Sequence, residues 1–147
     1  MCLLDRIEAW DGQQLRCMAG SHRNAGNPLR AFGRLGAACG IEYAAQAMAL
    51  HGALLAPQQS RPRAGFLASV RGVQLHVQRL DDIEAELLVV VERFSGDDNH
   101  VLYDFSISAN DLLLLDGRAA VILDAGDGRP PFLAAALAPN NPLTGTP

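Results

Sequence analysis

The sequence has no lysine; all twelve of its basic residues are arginine. Aromatic residues are nearly as scarce, at 5%, so any core must be aliphatic and alanine-rich. The three cysteines, Cys2, Cys17 and Cys39, are odd in number and form no C-x-x-C pair, which argues against a disulfide framework and reads as reduced thiols in the cytosol. The formal charge is −4 and the pI about 5.4. No global basic field exists to condense on a phosphate backbone, and nucleic acid is excluded as the expected partner. The longest apolar-looking stretch, Tyr43 to Ala56, is too short for a membrane span and contains Gln46 and His51. Asp5 and Arg6 place charge too early for a secretory signal. No H-x-x-x-H or C-x-x-C spacing offers a metal site. Gly33-Arg34-Leu35-Gly36 is too short for a phosphate-binding loop and precedes no βαβ pattern. No internal repeat is visible.

What remains is a globular composition, 49% apolar and 19% charged over 147 residues, enough for one domain with a real core. A soluble cytoplasmic protein is expected, with a single domain over residues 1–124 and a Pro/Gly/Ala-rich tail over 125–147. Two short extended runs, Cys2 to Trp10 and Gln13 to Ala19, flank Asp11-Gly12, a tight-turn dipeptide, and predict a hairpin. Gly20 to Gly36 has no hydrophobic period and reads as a long loop of the kind that is often functional. From about Gly40 to Leu55 the alanines, with Ile41, Met48, Leu50 and Leu54, predict a helix apolar nearly all round, buried on most sides; Gly52 and Pro57 are candidate terminators. After a linker, Pro57 to Arg63, strands are predicted over Phe66–Val77, Ala85–Phe94, Val101–Ser108 and Leu112–Leu123, the last broken by a turn or bulge at Asp116-Gly117. A short helical piece is expected at Phe132 to Leu137. The order predicts an α+β fold, one helix against an antiparallel sheet.

Glu42 and Gln46, four apart, share one helix face. A carboxyl in an otherwise apolar helix is expected to have a raised pKa and to suit a general acid; a first-turn acid favoured by the helix dipole is the plainer reading. His22, in Ser21-His22-Arg23, reads from its loop setting as an exposed bystander. His51 reads as a cation favoured near the helix C-terminus, and Cys39, just before the helix, as a buried structural thiol with a nucleophile as the sharper alternative. Arg23, Arg30 and Arg34 share the long loop and Arg61 and Arg63 the linker. Each cluster reads as solvated charge or as a seat for an acidic protein or phosphate.

The stretch Leu3-Leu4-Asp5-Arg6-Ile7, then Glu42-x-x-x-Gln46, then Gly65-Phe66-Leu67-Ala68-Ser69-Val70 and the strands after it, resembles the hot-dog-fold 3-hydroxyacyl-(acyl carrier protein) dehydratases from about Leu3 to Asp124. The phrase Gly40-Ile41-Glu42-Tyr43-Ala44-Ala45-Gln46-Ala47-Met48-Ala49 is closer still to the small members associated with aryl polyene biosynthesis. The resemblance implies a sheet wrapped around one central helix, dehydration of 3-hydroxyacyl thioesters to trans-2-enoyl thioesters, and no cofactor beyond the carrier protein's phosphopantetheine. It implies Glu42 as acid, His22 as base, and Gly40, Ile41, Gln46, Phe66 and Leu67 along the substrate. Arg61 and Arg63 would face the carrier protein. A dimer is implied, of two identical copies or with a second hot-dog subunit. Two departures stand out. The His22-to-Glu42 separation is longer than usual, with Asn27, which cannot act as a base, nearer the usual place; Gly36-Ala37 replaces the usual Pro-Gly. A non-catalytic accessory subunit and an acyl thioesterase are the alternative functions.

Overall fold

The computed structural model describes residues 2–56, 65–97 and 99–123. Six strands form one antiparallel sheet: β1 (Arg6–Trp10), β2 (Gln14–Ala19), β3 (Gly65–Leu75), β4 (Leu87–Gly96), β5 (His100–Ala109) and β6 (Leu112–Leu123), in the spatial order β1-β2-β4-β5-β6-β3. One helix, α1 (Gly40–Leu55), lies against one face of the sheet, and two single 3₁₀ turns, Ser21–Arg23 and Ala37–Cys39, punctuate the connection between β2 and α1. The α+β expectation holds, and α1 has the predicted limits.

Period-two alternation explains the sheet. In β2, Leu15, Cys17 and Ala19 point inward; in β4, Leu87, Val89 and Val91; in β5, Val101, Tyr103, Phe105 and Ile107. With so few rings available, the helix supplies small side chains and sits close. Tyr43, Ala44, Ala47, Met48 and His51 are its buried face. Gly40 marks the closest approach: a Cβ there would stand 2.8 Å from Leu115 Cδ2 and 3.0 Å from Ile107 Cδ1. α1 passes through Gly52 without a break and ends where Ala56 turns extended, directly before Pro57, as a residue preceding proline favours.

The Asp11-Gly12 turn forms as expected, with Asp11 Oδ1 accepting from the backbone N–H groups of Gln13 and Gln14, both at 2.8 Å. At Asp116-Gly117 there is no turn. β6 runs straight through, and Gly117 leaves room for the Phe105 ring, whose Cζ would lie 2.8 Å from an added Cβ. The irregularity belongs to the neighbouring strand, where the β3–β6 register shifts between Arg71 and Gln74. The linker, the expected piece at Phe132 to Leu137 and the tail lie outside the described residues.

The long loop is more structured than its composition suggests. Asn24 and Asn27 side chains each accept from a backbone N–H two residues on, at 2.8 and 2.9 Å, the turn chemistry for which asparagine is favoured. Leu35 is fully buried, its N–H donating to Asp81 Oδ1 at 2.8 Å and its carbonyl accepting from Leu80 N at 2.8 Å. Arg79 pairs with Asp81, and that pairing, with the Leu35 N–H, holds the Asp81 carboxyl well below the usual carboxylate range.

Candidate functional site

The start of α1 carries Glu42 in its first turn, where the positive end of the helix dipole favours a carboxylate. Glu42 is exposed, and it enters none of the ion pairs among the described residues. The apolar enclosure expected around it is therefore not built by this chain alone. Gly40 is buried against β5 and β6, and Ile41 packs half-buried on the core. Gln46 is also committed: its Oε1 accepts from Leu3 N at 2.7 Å and ties the N-terminal segment to the helix.

Behind Glu42, on the buried side, lies a polar cluster that pattern reasoning did not anticipate. Tyr43 donates to Ser21 Oγ at 2.7 Å, and Ser21 donates to the Leu3 carbonyl at 2.8 Å. Asn27 Nδ2 donates to Tyr43 Oη at 3.1 Å and to the Ser21 carbonyl at 3.0 Å. Every donor points to an acceptor, as buried polar groups require. Burial pushes the Tyr43 phenol up, against the opposing pull of the bonds from Ser21 and Asn27. The one clue in the sequence was a single tyrosine inside an alanine-rich helix.

His22 is not the exposed bystander that its loop setting suggests. It is 0% exposed, with Nε2 donating to the Ile83 carbonyl at 2.9 Å and Nδ1 enclosed without a hydrogen-bond partner. Burial pushes its pKa down, the Ile83 carbonyl opposing. The carbonyl acceptor places a proton on Nε2, and burial disfavours the charged form of the ring. No hydrogen bond joins it to Glu42, and a side chain with no exposed surface offers none to a subunit docked outside. His51 is buried too, Nδ1 bonded to Tyr103 Oη and Nε2 to the Asp11 carbonyl, each at 2.8 Å; it clamps the helix to β5 and the first turn rather than lying at the helix end. His76 faces Asp116 at 3.1 Å. Cys39 lies half-buried beside the Leu29 carbonyl.

Among the described residues, the opposite face of α1 is largely uncovered. Glu42, Ala45, Ala49 and Gly52 are spaced three and four apart and line one side, and a cavity of about 340 Å³ runs between Ala45, Ala49 and Gly52 of the helix and Gly65 and Leu67 of β3, with Arg93 and Tyr103 also on its wall. Of the residues expected along the substrate, Leu67 lines this cavity. Phe66 is half-buried in β3, paired with Ile122. Arg61 and Arg63 lie outside the described residues. Among the described residues no group of three His, Cys, Asp or Glu side chains is arranged to hold a metal ion, and no helix is long and apolar enough to cross a membrane.

A family model described as ApeP-like, ApeP dehydratase, matches residues 1–127. The chain belongs to the ApeP-like dehydratase family. Among solved structures, this ApeP-like chain is similar to the dehydratase heterocomplex ApeI:P from Xenorhabdus doucetiae, with a TM-score of 0.72 at 20% identity over 84% of each chain. It is also similar to the thioesterase SAV0944 from Staphylococcus aureus (TM-score 0.61, 14% identity, 81% of this chain and 92% of that one) and to the thioesterase HI1161 from Haemophilus influenzae (0.60, 11%, 81% and 77%). None of the curated proteins matches the sequence. At these identities the structural likenesses establish the hot-dog fold, shared by dehydratases and thioesterases. The family match establishes the dehydratase relationship.

Proposed function

We propose that this ApeP-like chain takes part in dehydrating 3-hydroxyacyl thioesters, carried on the phosphopantetheine of an acyl carrier protein, to trans-2-enoyl thioesters. It works as one hot-dog subunit beside a second, non-identical one. The observation that carries this reading is the contrast between an accessible Glu42 and an enclosed His22. Glu42 serves as the acid that protonates the leaving hydroxyl on C3. A base removes the proton from C2, the C–H electron pair becomes the C2–C3 double bond, and hydroxide departs as water with the Glu42 proton. The C2 proton needs an accessible base, and the partner subunit supplies it, because His22 and His51 are enclosed while His76 and His100 face Asp116 and Asp97. The same partner covers the open face of α1 and shields Glu42 from bulk water. His22 then holds the Ile83 segment in place. The heterocomplex to which the chain is similar supports an assembly of two different subunits.

The chain would be assayed alone and with a co-expressed second hot-dog subunit, using a 3-hydroxyacyl carrier protein and following products by mass spectrometry. Loss of water by the pair but not by the lone chain is expected. Glu42→Gln in the pair lowers turnover by about a hundredfold or more. His22→Gln, whose amide can still donate to Ile83, leaves turnover of the pair within a few-fold. Dehydration by the lone chain that His22→Gln abolishes would return the base to His22. Release of free acid would make the protein a thioesterase.

A further inference from the structure

Among the described residues, two tight turns have central residues that both show positive φ. Between β5 and β6 they are Asn110 and Asp111, at 50° and 64°, residue types that tolerate this conformation. In the long loop they are Phe32 and Gly33, at 55° and 75°, closed by reciprocal backbone hydrogen bonds between Ala31 and Arg34 of 2.8 and 3.0 Å. Phenylalanine is among the least suited residues for that place. Its ring is also fully in solvent, at 103% exposure, so no packing inside the chain offsets the strain. Strain that persists without internal recompense points to a use outside the chain.

The turn is held firmly. Arg30 donates from Nη1 to the Gly33 carbonyl at 3.2 Å and from Nη2 to the His22 carbonyl at 3.3 Å, lashing it to the buried 3₁₀ turn. Buried Leu35 and its bond to Asp81 anchor the other foot. The loop's own residues are of one sign: Gly20 to Ala37 contains three arginines and no acid, in a chain of net charge −4, and the Asp81 carboxylate at its foot is paired with Arg79. Arg34, next to the turn, is exposed and forms no ion pair among the described residues.

We propose that the Phe32–Gly33 turn, with Arg34 beside it, is the docking point for the acidic carrier protein that delivers the acyl group. This proposal rests on the function argued above. A rigid aromatic knob loses little entropy on binding, and an isolated ring flanked by cations fits an apolar dent rimmed by carboxylates. The positive charge also speeds encounter with an acidic partner. The same loop contributes His22, Asn27 and Ser21 to the interior beneath α1, so docking force would be applied close to the Glu42 end of the helix.

The test uses the two-subunit complex and the variants Phe32→Asn, which keeps the turn conformation without the ring, and Arg34→Glu. For carrier-borne substrate each raises KM about tenfold, the size of an interface anchor, while kcat/KM for a 3-hydroxyacyl-pantetheine thioester is unchanged. Fluorescence anisotropy with labelled holo-acyl carrier protein reads the docking independently of turnover, with Kd rising by the same factor and by more at low salt for Arg34→Glu. Phe32→Asn also raises Tm, since the strain is relieved. An unchanged Kd for both variants overturns the proposal whether or not the complex dehydrates. So does loss of subunit association by Phe32→Asn in size-exclusion chromatography, which would make the ring part of the subunit interface. Failure of the wild-type complex to dehydrate either substrate sinks the dehydratase reading and leaves the anisotropy result to decide the docking.

Discussion

The two faces of α1 differ in kind. On the inner face Tyr43, Ala44, Ala47, Met48 and His51 are buried, and each polar atom of Tyr43 and His51 has a partner within the chain. On the outer face Glu42 is exposed, and Ala45, Ala49 and Gly52 line the cavity, whose wall is shared by Met48 and by Gly65 and Leu67 of the edge strand β3. The inner face is finished by folding, while the outer face stays uncovered among the described residues. Chemistry placed on the outer face can therefore be altered without dismantling the fold, and the inner face cannot be altered so freely.

The largest expected effect on the fold belongs to the inner face. Tyr43→Phe removes the hydroxyl that joins Asn27 to Ser21 and should cost about 1–3 kcal/mol in urea unfolding; an unchanged midpoint would show that the cluster is not structural. Next is a pH effect. Folding holds His22 neutral with its pKa pushed down by burial, so the unfolded chain takes up a proton that the folded chain refuses. Stability is full above the unfolded imidazole pKa of about 6.5 and falls as pH drops below it. His22→Gln should flatten that slope in Tm measured between pH 7.5 and 5. A slope that survives the substitution would place its origin elsewhere. The smallest effect is on the outer face. Ala49→Glu should shift stability of the lone chain by no more than about 0.5 kcal/mol, yet prevent co-purification with a second hot-dog subunit. A loss comparable to that of Tyr43→Phe would erase the distinction between the faces.

Much of the fold was legible because its signals are local. Alternation along β5, the apolar run Leu87 to Val91 of β4, the Asp11-Gly12 turn beside β2 and the alanine density of α1 are each set within a dozen residues, and the helix limits follow from composition and Pro57. Asp116-Gly117 misled because glycine marks both turns and close packing, and only the position of Phe105 on the adjacent strand distinguishes them. The site was less legible. Glu42 could be located on its helix, but its exposure depends on what the rest of the chain leaves uncovered. The enclosure of His22 depends on Ile83, sixty-one positions away, and no spacing rule reports such a contact. The strain at Phe32 was invisible for the same reason, since it needs the positive φ that the hydrogen bonds between Ala31 and Arg34 impose on a residue type ill suited to it.

The outermost strands have one more consequence. β3 keeps register with β6 for no more than three residues at a stretch, being shifted between Leu67 and Ser69 and again between Arg71 and Gln74; β1 is shifted against β2 between Ile7 and Ala9. Ragged margins of this kind admit a short, matched neighbour and reject an endless succession of identical ones. Chains of this protein are thereby steered away from fibrous growth along either margin of the sheet.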